Sequence, residues 1–166
     1  QFDIRIGTLV PANKGVGYLN QIIPHGFESF SLTFWKHIDA GLDLAKLANE
    51  VHAALDASPA TGQAKPVISS LGMFGNPLED EQNAKDWGRC IDACRDFGCD
   101  IVAGFAGRIV NKPIPDSIKQ YKRVFAPLTK RAADRGVRIA FENCDMGGTW
   151  EYGDWNIAHT PDAWEL

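Results

Sequence analysis

The sequence predicts an α/β fold, the first five βα units of a (β/α)8 TIM barrel, and three observations carry that prediction. Strand-like and helix-like periodicities alternate along the whole chain. The segments that follow the strands are long and chemically varied (Thr8–Gly15, Trp35–Gly41, Gly72–Asp80, Ala106–Asp116 and Asn143–Pro161), whereas those that precede strands are short (Gly26, Gly98-Cys99, Gly136). That asymmetry gathers the polar chemistry at the C-terminal ends of the strands, where barrels of this kind build active sites. Finally, Gly7-Thr8-Leu9-Val10-Pro11 lacks the glycines of a phosphate fingerprint after the first strand, which argues against a dinucleotide-binding doubly wound sheet.

The elements follow in order. A strand is expected from about Ile4, then a short helix around Val16–Ile23. Glu28-Ser-Phe-Ser-Leu-Thr-Phe34 alternates apolar and polar and reads as the second strand. Leu44, Leu47, Ala48, Val51 and Leu55 form the apolar stripe of the next helix. A third strand starts near Val67, followed by a helix carrying Ala84, Trp87, Ile91 and Cys94, with Gly98 just past its end. The fourth strand starts near Asp100, and its run Ile101–Phe105 is apolar throughout, as suits a strand covered on both faces. Ile118, Tyr121, Phe125, Leu128 and Ala132 line a helix opened by Pro115-Asp116-Ser117 and closed by Gly136. The fifth strand starts at Val137. At the end, Thr160 is placed as an N-cap with Pro161 in the first helical position. Five strands fall short of the eight that a barrel takes from ~250 residues. Residues 1–166 therefore read as one domain, the N-terminal portion of a barrel that stops before strands 6–8.

Bulk properties narrow the function. The chain has 166 residues, 45% hydrophobic and 23% charged, with a net charge of −4 and no Lys/Arg cluster, so nucleic acid is not the expected partner. No apolar run approaches ~18 residues, so no membrane span is expected, and the Gln1-Phe2-Asp3-Ile4 start shows no signal peptide. Cys90, Cys94, Cys99 and Cys144 include no CxxC pair; they read as reduced core thiols and point to the cytoplasm.

The run Val137-Arg138-Ile139-Ala140-Phe141-Glu142 is an apolar strand that ends in a carboxylate. An unpaired carboxylate is costly to bury, and one at a strand tip usually meets a metal or a substrate. Together with Ser69-Ser70-Leu71-Gly72-Met73-Phe74-Gly75-Asn76-Pro77-Leu78, Ala103-Gly104-Phe105-Ala106-Gly107-Arg108, Gly136–Cys144, Trp150, Asn156-Ile157-Ala158 and Pro161–Glu165, it makes the chain resemble the sugar-phosphate isomerase/epimerase family of xylose-isomerase-like TIM barrels. The resemblance implies that Glu142 is a ligand of a divalent metal, Mn²⁺ or Mg²⁺, or else Co²⁺ or Zn²⁺. It also implies that Glu142 exchanges a proton with the substrate carbon. The family's other ligands, an Asp, a His and a second Glu, belong to strands 6–8, so no isomerase activity is expected from this chain as an isolated monomer.

Around Glu142, five residues are candidates for substrate binding. Arg108 follows a small-residue strand end and is placed to hold a phosphate or sugar hydroxyls, or else a surface carboxylate. Asn76 and Asn143 are candidate hydroxyl partners, Asn76 alternatively a turn residue. Trp35 and Trp150 lie in strand-following loops, where an aromatic wall stacks on a sugar or packs on its own loop. His37 and His159 share that face, while His25 and His52 are structural. The expected function is a metal-dependent sugar or sugar-phosphate isomerase or epimerase, with proton abstraction beside a carbonyl and an enediolate intermediate. Alternatives are a non-catalytic or self-associating partial barrel, a homo-oligomer through its open edges, and an abasic-site endonuclease-like metal hydrolase.

Overall fold

A computed structural model describes residues 4–58 and 65–166; Gln1, Phe2 and Asp3, which belong to the expected strand-like start, lie outside them. Five parallel strands, β1 (Gly7–Pro11), β2 (Ser29–Trp35), β3 (Val67–Phe74), β4 (Ile101–Gly104) and β5 (Arg138–Phe141), pair in the order β1-β2-β3-β4-β5. Helices α1 (Val16–Ile22), α2 (Leu44–Ala57), α3 (Glu81–Ala93) and α4 (Ile114–Asp134) connect them, and α5 (Pro161–Trp164) follows β5. Each strand adds to the same edge, without the reversal of order that defines a doubly wound sheet. This is the winding of a barrel, and five of its units are present.

The parallel register explains which side chains go where. Val10, Leu32, Leu71, Val102 and Ile139 are paired neighbours across the sheet and face the helices, the first four buried. Pro11, Thr33, Gly72, Ala103 and Ala140 make the adjacent row on the opposite, concave face. An extra residue in β3 shifts the pairing between Phe30 and Ser31, after which Ser70 Oγ donates to Ser31 Oγ at 2.8 Å. The stripes expected on the helices are the buried ones: Leu47, Ala48, Val51 and Leu55 on α2, Trp87 and Ile91 on α3, Phe125, Leu128 and Ala132 on α4.

Helix ends obey local chemistry. Asp43 and Asp80 cap α2 and α3 by accepting backbone N–H bonds, and Thr160 caps α5 with Pro161 in its first turn. Gly98 is left-handed at φ 75°, as its place after a helix requires. Gly104 is needed for space: a Cβ there would lie 2.0 Å from the Met73 carbonyl oxygen and 2.6 Å from the Trp87 ring.

Several boundaries differ from the sequence reading, most by a single residue. The first strand starts at Gly7 rather than Ile4, because Ile6 has already turned to the β2 side; its carbonyl accepts from Glu28 and Ser29 and its N–H bonds the Glu28 carboxylate. Helix α4 starts at Ile114, before Pro115, whose missing N–H costs nothing in a first turn. Among the described residues no helix is long and apolar enough to cross a membrane.

Candidate functional site

Glu142 follows β5, and its N–H extends the ladder by donating to the Gly104 carbonyl at 2.9 Å. Its side chain is exposed, and among the described residues its carboxylate has no hydrogen bond or ion pair. The backbone beneath it is fixed by Asn156, which is 1% exposed. Asn156 Nδ2 donates to the carbonyls of Glu142 (2.9 Å), Cys144 (2.8 Å) and Ala158 (3.4 Å), while its Oδ1 accepts from Ala106 (3.0 Å) and Ala158 (3.3 Å). A bridge between Gly107 and Asn156, and the Ile157 N–H on the Gly107 carbonyl, complete the seam between the loops after β4 and β5.

Arg108 does not present a phosphate clamp, contrary to the sequence expectation. It is fully buried, and its guanidinium donates to Lys112 O (3.0 and 2.7 Å), Thr149 O (2.6 Å) and Trp150 O (3.1 Å). Four of its five N–H groups are spent on the chain's own carbonyls, so Arg108 holds the loop after β5 onto the loop after β4. Burial lowers the pKa of this guanidinium, opposed by Asp154 and Glu151. Asn76 is similarly committed: Nδ2 donates to Arg108 O (2.6 Å) and Asp154 O (2.8 Å), and Oδ1 accepts from Arg108 N (2.9 Å) and Leu78 N (3.2 Å). Asn143 is exposed beside Glu142, and its amide, oriented as two acceptors demand, donates to Ala158 O and His159 O at 3.2 Å each.

The two tryptophans part company. Trp150 packs against the small core of Ala106, Ile114, Ile157 and Ala158, and its carbonyl accepts from Ile114 and Arg108. Trp35, 54% exposed at the tip of β2, keeps a free face. Its ring lies 5.7 Å from that of Trp155 and 6.3 Å edge-on from Phe105, which itself meets Phe74 at 5.1 Å. Trp35 and Phe74 also line a cavity of about 210 Å³ together with Pro11, Asn13, Lys14 and Thr33. Trp155 and Asn156 carry roles that the sequence reading did not assign. The available signal was a polar residue inside the apolar run Trp155-Asn156-Ile157-Ala158.

Of the histidines of this face, His37 is tied down and His159 is not. His37 Nε2 contacts Asp80 Oδ2 at 2.6 Å, joining the loop after β2 to the α3 cap. Asp80 is partly buried, which opposes its ionisation, yet the N–H groups of Asn83 and Gln82 together with His37 lower its pKa. His159 has a buried Nε2 without a partner among the described residues, and burial, then the nearby Arg108 charge, lower its pKa against a weaker pull from Asp145.

A hard divalent cation takes six or more oxygen ligands, and one carboxylate offers at most two. Among the described residues no three His, Cys, Asp or Glu side chains come together around a possible ion. Among the described residues, Glu142 alone therefore does not fit a metal.

Residues 20–166 match the model of the xylose isomerase-like TIM barrel family. No curated protein matches the chain. Among solved structures, it is similar to a xylose isomerase-like TIM barrel protein from Mycobacterium smegmatis in complex with magnesium (20% identity, TM-score 0.62, covering 89% of this chain and 49% of that one). It is also similar to an L-ribulose 3-epimerase (16%, TM-score 0.62, 93% and 53%) and to mannonate dehydratase from Streptococcus suis serotype 2 (10%, TM-score 0.67, 99% and 59%). At these identities the likeness is one of fold, and the chain spans between about half and three-fifths of the length of these structures.

Proposed function

Because this chain belongs to the xylose isomerase-like TIM barrel family, we propose that residues 1–166 form the N-terminal unit of an enzyme that isomerises or epimerises a small sugar or sugar phosphate. The observation that carries this reading is the Glu142 carboxylate: unpaired, exposed, at a strand tip, on a backbone held by Gly104 and Asn156. A carboxylate carried on a fixed backbone and left without a partner is suited to take a proton from the carbon beside a substrate carbonyl. The released electron pair moves onto the carbonyl oxygen to give an enediolate. Return of the proton to the opposite face of that carbon yields an epimer; its return to the neighbouring carbon, with the hydroxyl proton passing from one oxygen to the other, yields an isomer. Trp35, backed by Trp155, supplies an apolar wall for the sugar, and its contact Phe105 follows Gly104 on the strand beside Glu142. A divalent cation is the expected cofactor of the completed barrel, with Glu142 as the ligand from this half and the others from outside these five units.

The reading is tested by incubating the barrel that carries these units with L-ribulose or D-fructose in D₂O plus Mn²⁺ and following the proton spectrum. The expected result is loss of the signal from the C–H beside the carbonyl, abolished in Glu142→Gln. Equal exchange by both proteins would remove Glu142 from the chemistry, and no exchange with any ketose would reject the reaction class. The 166-residue chain alone is expected to give no turnover.

A further inference from the structure

Three of the four cysteines gather at the opposite end of the sheet from Glu142, where α3 hands the chain to β4. Cys94 opens a 3-10 turn, Cys94–Phe97, and Cys99 follows the left-handed Gly98. The turn folds back on itself: Gly98 N–H bonds Arg95 O at 3.0 Å and Cys99 N–H bonds Cys94 O at 3.3 Å. That geometry sets the two side chains against each other, with 3.4 Å between Cys94 Sγ and Cys99 Sγ. Both are reduced; Cys94 has no exposed surface and Cys99 has 5%. His52, reaching from α2 to Asp96 O at 2.8 Å, and Arg95, bonded to the Gly136 carbonyl, hold the turn in place.

We propose that Cys94 and Cys99 are a redox-active pair that closes to a disulfide when a small peroxide reaches the turn. A disulfide needs its sulfurs at about 2.05 Å, so side-chain rotation must bring them roughly 1.3 Å closer, within a backbone turn that already holds residues 94 and 99 side by side. The pair is asymmetric in its surroundings: Cys94 has no exposed surface and Cys99 has a little, and their shared contact raises the Cys94 thiol and lowers the Cys99 thiol. Cys99, the slightly exposed member, is therefore the nucleophile. Its thiolate attacks one oxygen of hydrogen peroxide, the O–O bond breaks, hydroxide leaves, and Cys99 becomes a sulfenic acid. The Cys94 sulfur then attacks the Cys99 sulfur, forming the S–S bond and breaking S–O, so that with the Cys94 proton the second oxygen leaves as water. Two thiols are oxidised, one peroxide is reduced to two water equivalents, and dithiothreitol reverses the product. Peroxide fits the site better than a bulky disulfide oxidant because both sulfurs lie behind the turn. Cys90, fully buried one helical turn before Cys94, is pushed up by burial and by Asp86 and stays a bystander.

The test treats the folded protein with stoichiometric hydrogen peroxide and maps it by non-reducing tryptic mass spectrometry. Trypsin cuts after Arg95, between the two cysteines, so the disulfide joins peptide 90–95 to peptide 96–108. The expected result is an intact mass lowered by two hydrogens and a joined peptide assigned to Cys94–Cys99 by fragmentation. The link should persist in Cys90→Ser, be absent in Cys99→Ser, and vanish with dithiothreitol. Free Cys94 and Cys99 after oxidation of Cys144, a Cys90–Cys99 link, or a link formed only in denaturant would each overturn the proposal. The wild-type map decides the matter even if a serine variant fails to fold.

Discussion

Asn156 Nδ2 lies 2.9 Å from the carbonyl oxygen of Glu142, so a fully buried amide from the last loop fixes the backbone of the exposed carboxylate at the tip of β5. The same amide reaches Cys144 and Ala158, and its oxygen takes the Ala106 N–H, which locks the tips of β4 and β5 to one another.

Asn156→Ala is expected to destabilise the fold by about 3 kcal/mol, because it leaves the buried Ala106 N–H and the carbonyls of Glu142 and Cys144 without partners. Urea denaturation followed by circular dichroism measures this. A loss below about 1 kcal/mol would show that water replaces the amide.

Arg108→Lys is expected to cost about 3 kcal/mol, since one ammonium cannot reproduce a planar fork serving the carbonyls of Lys112, Thr149 and Trp150. A phosphate-binding Arg108 would predict the opposite pattern, near-normal stability with weakened ligand binding. Comparing the unfolding midpoint of the variant with that of the wild type separates the two.

Gly104→Ala is expected to lose more than ~2 kcal/mol, because its Cβ would lie 2.0 Å from the Met73 carbonyl oxygen and neither strand backbone can yield cheaply. Thermal unfolding reads the effect directly. A Tm within a degree or two of wild type would mean that β3 and β4 can separate without cost.

Acidification should weaken the fold partly through His159. Its pKa is lowered in the folded state by burial and by Arg108, so below the ordinary imidazole pKa the unfolded chain binds a proton that the folded chain refuses. Stability is therefore fully present above that range and falls as pH drops through it. Asp80 acts at lower pH: its pKa is lowered as well, so its contribution persists above the ordinary carboxylate range and is lost as pH falls through it. Tm measured between pH 8 and pH 5 should fall less steeply in His159→Gln than in wild type; parallel slopes would remove His159 from the account.

Much of this was legible in the sequence, and the parts that were not share a cause. Among the described residues, period and turn chemistry located the five strands and helices α1 to α5, with Val10, Leu32, Leu71 and Val102 as neighbours facing the helices. The place of Glu142 at the tip of β5 was legible because a strand that ends in a carboxylate is a local signal. Arg108 was not legible as a loop anchor, nor Asn76 as more than a turn residue, because sequence shows a side chain's chemistry but not its partners. The carbonyls that consume them belong to residues 112, 149, 150 and 154. Trp150 and Trp155 lie in one loop and look alike as letters; only the fold sends the first into a core and the second onto Trp35.

The most direct test of the central claim, that Glu142 is this half-barrel's contribution to a cation-dependent proton-transfer site, is Mn²⁺ binding followed by electron paramagnetic resonance. It compares wild type and Glu142→Gln in the barrel that contains these five units. The account predicts one bound ion per barrel, with affinity lowered about tenfold or more in the variant and an unchanged Tm. Equal Mn²⁺ affinity in the two proteins would contradict it.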